Sequence, residues 1–443
     1  MPIPRGLSKT VSGLPRTFWW LWTSTLVNRL GAFVATFLAM YLTVERGYSA
    51  TYAGLVAALH GLGGVVSSVG AGVLTDRLGR RPTLLLAQLG TAVSVAVLGF
   101  MTHPAAIAGV AFAVGATSNA SRPAVQAMIA DIVPPEDRVR AFSLNYWAIN
   151  LGFAVSASAA GLIAEHGYLA LFLGEAAMTL VCAVLVYVRI PESRPGHGAE
   201  GGRDGTGAAG TEDGGRERVS MATVLRDGPF MAVVGLSFLV STLFTQAFVT
   251  LPVDMAGKGL SSSDYGLAVA VNGVLIVALQ LPVTRFIEHR DPARLLVVSS
   301  LLTGLGFGLT AFAGSVGAYA LAICVWTLGE MVNAPTQTGL VTRMAPAHGR
   351  GRYQGMYTMS WSVAALVAPP AGGAVLDLWG SGVLWGLTAL VGAVAAVGYL
   401  VLMRVTARRE AAGSGAAAGT GGPGADGAVA GAQDVRPTAP VEG

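Results

Sequence analysis

Apolar runs of membrane-spanning length recur along almost the whole chain, and this limits the fold more than any other feature. Crossing a hydrocarbon core takes about 20 apolar residues in a helix. Runs of that kind are read at 18–44, 51–74, 82–101, 105–132, 142–164, 168–188, 230–249, 263–283, 295–313, 316–341, 353–376 and 383–405. Only 12 % of the 443 residues are charged, against about a quarter in soluble domains, so the chain has too little polar surface to coat a water-soluble globule. The expected fold is therefore an all-α membrane protein of twelve transmembrane helices. The abundant Gly and Ala suit helices that associate through small side chains in lipid. Cys182 and Cys324 both fall inside apolar runs, where a thiol packs as a small residue, which argues against a disulfide scaffold.

Charge placement sets the expected orientation. With the N-terminus in the cytoplasm, only Arg46 and Lys258 of the 28 Lys and Arg residues fall outside, while Arg29 and Arg122 lie within spans. The net charge of +4 therefore reads as a topology signal, and no nucleic-acid partner is implied. The first span is too long for a signal-peptide core and no cleavage site precedes it, so it is expected to stay in the mature protein. Segments 1–17, 189–229 and 406–443 lack the apolar content to bury a core. They are expected to be cytoplasmic and without fixed structure, the middle one linking six-helix bundles at 18–188 and 230–405. A cell membrane is the expected location, with both termini inside.

The two halves repeat. A shift of 212 residues lays Pro123 on Pro335, Pro134 on Pro346, Arg138 on Arg350, Arg140 on Arg352 and Gly161 on Gly373. One or two such matches arise by chance; five in order imply a duplication. Two like-oriented halves related by an axis along the membrane normal are a transporter architecture, with substrate bound near the midplane between them.

The turn between the second and third spans reads Gly72-Val73-Leu74-Thr75-Asp76-Arg77-Leu78-Gly79-Arg80-Arg81-Pro82. It resembles the major facilitator superfamily signature G-x-L-x-D-R-x-G-R-R at every fixed position. The resemblance covers the chain from the first span to the last, and implies a gate latch on the inner side. In that latch Asp76 faces the start of the eleventh helix near Tyr353, where free amides and the helix dipole favour an anion. Arg77 and Arg81 belong to the same basic cluster, Arg80 pairs with Asp131, and Gly72 and Gly79 complete the motif, Gly79 allowing the tight turn. The second-half counterpart, Val283-Thr284-Arg285-Phe286, lacks the acid. The glycine-proline stretch associated with antiporters is altered in the fifth span (Val155 to Gly161) and better kept in the eleventh, as Ala368-Pro369-Pro370-Ala371-Gly372-Gly373.

Ionisable residues inside a span are costly and are functional candidates by default. Glu330, near the middle of the tenth span, is the expected proton-coupling residue, set against Arg29 and Arg122 of the other half. A structural ion pair is the plainer alternative. The expected substrate cavity comprises Asn28, Arg29, Phe33, Arg122, Tyr146, Trp147, Asn150, Trp326, Asn333 and Trp361, although aromatic residues in a helical membrane protein as often face lipid or core. His60 and Glu175 are further candidates for a gate network or for packing.

Gly329-Glu330 and Asn28-Arg29-Leu30-Gly31 resemble proton-linked multidrug exporters. Arg122-Pro123 and Tyr146-Trp147-Ala148-Ile149-Asn150-Leu151-Gly152 resemble proton-linked oligopeptide carriers, whose helix-one acid is replaced here by Asn28. The expected function is thus proton-coupled efflux of drug-like small molecules by alternating access, with peptide import and a non-transporting receptor or scaffold as the alternatives. Small-molecule substrate, protons and lipid are the expected partners, and a monomer the expected functional unit. No phosphate loop, H-E-x-x-H or metal-spaced His/Cys cluster is present, so the chain is not expected to be an enzyme or to hold a cofactor or metal.

Overall fold

Several helices begin with a proline in the first turn and an acid or histidine at the cap, where a free amide needs an acceptor. Asp227 accepts from the Phe230 amide at 3.1 Å and Asp291 from the Ala293 amide at 2.9 Å. The computed structural model describes residues 13–134, 137–191, 221–287, 290–346 and 350–419. It omits the side chains of 68–77, 122, 123, 127, 130, 139, 350, 351 and 406–419.

Among the described residues, twelve long helices follow in order, with the last stretch divided at Gly380. They are α1 (Arg16–Glu45), α2 (Ala50–Leu78), α3 (Arg80–Phe100), α4 (Pro104–Ile132), α5 (Arg138–Ala164) and α6 (Tyr168–Arg189). The second half holds α7 (Gly228–Gly257), α8 (Ser262–Ile287), α9 (Pro292–Phe312), α10 (Val316–Met344), α11 (350–379) and α12 (381–419). Gly380 divides the last two: its φ of +81° is a left-handed conformation that only glycine adopts at little cost.

Two helices are broken. In α1 the regular turns stop at Leu30 and resume at Val34, and in α7 they stop at Gln246 and resume at Thr250. A short helix, Met221–Arg226, lies within the stretch expected to be an unstructured linker, and α12 continues past 405 to Gly419.

Within the first half, α2 packs on α4, α3 on α4 and α6, and α1 on α5 and α6; in the second, α10 packs on α8 and α9. The halves meet where α8 lies along α5 and where the second segments of α1 and α7 touch. The end carrying the Gly72–Pro82 turn is called here the motif end, and the opposite one the far end.

The repeat reappears as contacts at the far end. A Cβ on Gly54 of α2 would lie 2.3 Å from the Pro369 carbonyl oxygen of α11, and one on Gly266 of α8 would lie 2.3 Å from that of Ala157 in α5. A Cβ on Gly373 would meet the Ala50 oxygen at 2.3 Å, and one on Gly161 the Ser262 oxygen at 2.7 Å. Each contact maps onto its twin by the same 212-residue shift that aligns the sequence. The halves are thus seated backbone to backbone there, as small residues permit.

Candidate substrate cavity and gates

A cavity of about 380 Å³ lies between the halves, walled by Arg29, Ala35, His60 and Phe153 from the first half and by Thr245, Phe248, Ala365 and Pro369 from the second. Arg29, Ala32, Ala35 and His60 also border a second cavity of about 270 Å³ inside the first half, where Gln88, Ser118, Asn119, Ser121 and Glu175 make the wall polar. Ala32, inside the break in α1, borders both.

Glu175 of α6 explains that break. Only 8 % of its surface is exposed, and its Oε2 accepts from the Phe33 amide at 2.9 Å and the Val34 amide at 2.7 Å. Interrupting α1 takes two amides out of the regular helix bonding inside the protein; a carboxylate from the neighbouring helix accepts from both, although the Phe33 amide also reaches the Gly31 carbonyl at 3.0 Å. Charge-assisted bonds of this kind contribute about 1.5–3 kcal/mol each, which offsets the cost of burying the acid. Arg29, one residue before Leu30, shares the polar cavity with this carboxylate. Phe33 is itself buried, its ring over Gly174, so it serves the break and not the cavity wall.

Glu330 is half-buried in α10 and accepts from Asn272 Nδ2 of α8 at 2.8 Å; the same amide nitrogen donates to Thr327 Oγ1 at 3.0 Å. Tyr146 of α5, on the other half, is within electrostatic reach of the carboxyl. Glu330 is therefore held by a hydrogen bond within its own half, close enough to Tyr146 of the other half for the two to interact electrostatically.

The other cavity candidates divide by place. Asn28 borders the polar cavity. Tyr146 and Trp147 are exposed; Trp147 stacks on Trp22 at 6.5 Å between centroids, and Asn150 donates to the Tyr146 carbonyl at 2.9 Å. Trp326 is 3 % exposed and stacks on Phe307, and Asn333 is buried with its amide on Ser299 Oγ at 3.2 Å. Both belong to the core of the second half, because Phe244, Phe307 and Trp385 extend one ladder of rings through it. Trp361, half-buried, stacks on Phe244 at 6.0 Å and ends that ladder. The side chain of Arg122 lies outside the described residues.

At the motif end Gly79 turns the chain between α2 and α3 with φ +105°. Arg80 Nε donates to Asp131 Oδ2 at 3.1 Å, tying α3 to the end of α4. Arg81 donates to the Tyr187 carbonyl and lies over its ring, which ties α3 to α6. Side chains of Gly72, Asp76 and Arg77 lie outside the described residues. Tyr353, at the start of α11, donates to Asp227 at 2.9 Å.

The sequence profile described as Major Facilitator Superfamily matches residues 21–257 and again 234–437, once for each half. The chain belongs to the major facilitator superfamily. A relative in Planococcus maritimus, named a Na(+), Li(+), K(+)/H(+) antiporter, is 23 % identical over 76 % of this chain and 84 % of its own length. The multidrug resistance protein MdtH of Salmonella arizonae is 22 % identical over 79 % of this chain and 83 % of its own. Among solved structures, a POT family transporter in complex with a thioalcohol-conjugated peptide superposes with a TM-score of 0.72 at 15 % identity, covering 90 % of this chain and 98 % of that one. This superfamily member is a multi-pass membrane transporter and not an enzyme. Among the described residues no group of three or more His, Cys, Asp and Glu is placed to hold a metal ion.

Sequence reasoning did not find Asn272, Phe244, Phe248 or Gln246 as parts of the site. All are neutral residues in apolar spans, and no local signal separates them from packing. Gln246 sits at the break of α7, donating to the Ala368 carbonyl of α11 at 3.0 Å and accepting from Thr250 Oγ1 at 2.9 Å.

Proposed function

We propose that this transporter exports drug-like, amphipathic small molecules in exchange for protons, by alternating access of the central cavity. One observation carries the reading: Glu330, the membrane-embedded acid of α10, sits on a neutral hydrogen-bonding seat made by Asn272 in its own half, within electrostatic reach of Tyr146 in α5 of the other half. A carboxyl so placed can be loaded or emptied of a proton without losing its seat. Its charge then changes the interaction between the halves, which is the coupling an ion-driven carrier needs. The cavity supports the substrate class, with Phe153 and Phe248 offering apolar surface beside the charge of Arg29 and the polar His60. A relative named a multidrug resistance protein supports this substrate class, and one named a Na(+), Li(+), K(+)/H(+) antiporter supports exchange against protons but not the substrate.

In this reading the motif end faces the cytoplasm with both termini, Asp76 latches that end against α11, and Arg77 and Arg122 lie in the gate and the cavity respectively. The bundles 18–188 and 230–405 act as the two moving bodies of a monomer, and 189–229 and 406–443 serve as linker and tail. Peptide import is the weaker reading, because the acid expected before Arg29 is Asn28. The test is a panel of amphipathic cations, ethidium among them, in proteoliposomes with an imposed pH gradient of either sign. Movement of at least one compound against its gradient, driven by opposite proton flow, is expected. Movement driven only in the same direction as the protons would overturn export by exchange.

A further inference from the structure

We infer that Glu165 and Asp377 are a pseudo-symmetric pair of bolts that hold the far end of this transporter shut, each joining the C-terminal end of one half's helix to the first turn of a helix in the other half. Asp377 of α11 sits at the start of α2. Its Oδ1 accepts from the Ala50 amide at 3.1 Å, and its Oδ2 accepts from the Thr51 amide at 2.8 Å and the Thr51 hydroxyl at 2.6 Å. Glu165, the residue that ends α5, accepts from the Ser263 hydroxyl in the first turn of α8. Adding 212 carries Glu165 onto Asp377, and Ala50 and Thr51 onto Ser262 and Ser263. The two contacts are therefore one device made twice.

Their difference has a physical reason. The start of α8 has an acid of its own, Asp264, which accepts from the Ser261 amide at 2.9 Å. With that turn already supplied, Glu165 takes the serine hydroxyl. The start of α2 has no acid in its first turn, so Asp377 takes the amides and the favourable end of the helix dipole. Both carboxylates are exposed to solvent. A bond made in water is readily exchanged for water, so it can bias a gate without freezing it. Beneath each bolt lie the glycine contacts, Gly373 on Ala50 and Gly161 on Ser262 and Ser263, which seat the helices closely enough for the carboxylates to reach. These bolts lie at the end opposite the Gly72–Pro82 turn.

The inference rests on the reading of the chain as a carrier whose two ends open in turn. The experiment measures spin-label distances on the full-length protein in lipid nanodiscs, in a background with Cys182→Ala and Cys324→Ala. One pair of labels, at Thr102→Cys and Gly314→Cys, spans the far end; a second pair, at Gln126→Cys and Thr338→Cys, spans the motif end. In Asp377→Ala/Glu165→Ala the far-end pair should gain a longer distance, its share rising at least about fivefold, the low end of an ordinary conformational coupling. The motif-end pair should shorten in parallel, and each single variant should fall between. Unchanged distances at both pairs in the double variant would overturn the bolts. If the alanine protein fails to elute as a folded species, Asp377→Leu/Glu165→Leu is read in the same way, since leucine keeps bulk and accepts no hydrogen bond. Loss of the carrier reading itself would appear separately, as absence of flux in the wild type.

Discussion

A methyl group at position 54 should prop open the far end. The added Cβ of Gly54→Ala would lie 2.3 Å from the Pro369 oxygen, 2.6 Å from its carbonyl carbon and 2.7 Å from the Pro370 Cα. All three are backbone atoms, so no side chain can swing aside, and α2 must part from α11 by roughly 1 Å to restore van der Waals contact. Forcing an extra methyl into a packed interface costs about 1–3 kcal/mol. That cost falls on the state with the far end closed, where α2 and α11 touch, and leaves the open state largely unaffected. The closed population should therefore drop by about 5–150-fold relative to the open one. Because every cycle passes through the closed state, exchange of substrate in proteoliposomes should slow markedly. Gly266→Ala, whose Cβ would lie 2.3 Å from the Ala157 oxygen, should behave alike. Gly235→Ala, with nothing within 4 Å of its Cβ, should be silent. Wild-type exchange by Gly54→Ala, together with a wild-type far-end distance, would refute the claim that this contact closes the gate.

Three further outcomes are expected. Replacing Asp76 by Asn should slow transport at least about tenfold with normal membrane insertion, read as initial flux at matched protein density; a normal rate would remove the latch from the account. Glu175→Leu leaves the Val34 amide without an acceptor, a loss of about 1–3 kcal/mol, and the Phe33 amide with only the Gly31 carbonyl at 3.0 Å, so thermal unfolding in detergent should move down measurably. An unchanged midpoint would mean that the break in α1 does not depend on Glu175. Removing residues 420–443, and replacing 192–220 by a flexible spacer of equal reach, should leave flux unaltered; loss of flux at normal membrane levels would reveal a role for those segments.

Much of the architecture was legible because a bilayer imposes one rule, a long apolar run for each crossing. The twelve spans follow from it, the 212-residue repeat was legible in matched Pro, Arg and Gly positions, and Gly79 and the Arg80 end of its pair with Asp131 in one motif. The breaks in α1 and α7 were not. Residues 31–33 and 247–249 are small or apolar, and the acid that steadies the first break comes from α6, 142 positions from Phe33. Trp326 and Asn333 read as cavity residues because sequence gives no helix-facing direction within a span apolar all round; both turn into the core. The bolts were hidden for another reason. Glu165 and Asp377 are not identical and lie beyond Gly161 and Gly373, the last matched pair of the repeat, so nothing in the sequence marks them as partners.

The central claim is that Glu330 carries the coupling proton, and Glu330→Gln tests it most directly. The amide mimics the protonated acid and can still accept from Asn272 at the present 2.8 Å contact. The decisive measurement is substrate flux under an imposed pH gradient, wild type against Gln variant, at matched protein density in proteoliposomes. Gradient-driven flux is expected to be lost in the variant while downhill exchange of an uncharged substrate persists. Equal driven flux from both proteins would contradict it and leave Glu330 a packing residue.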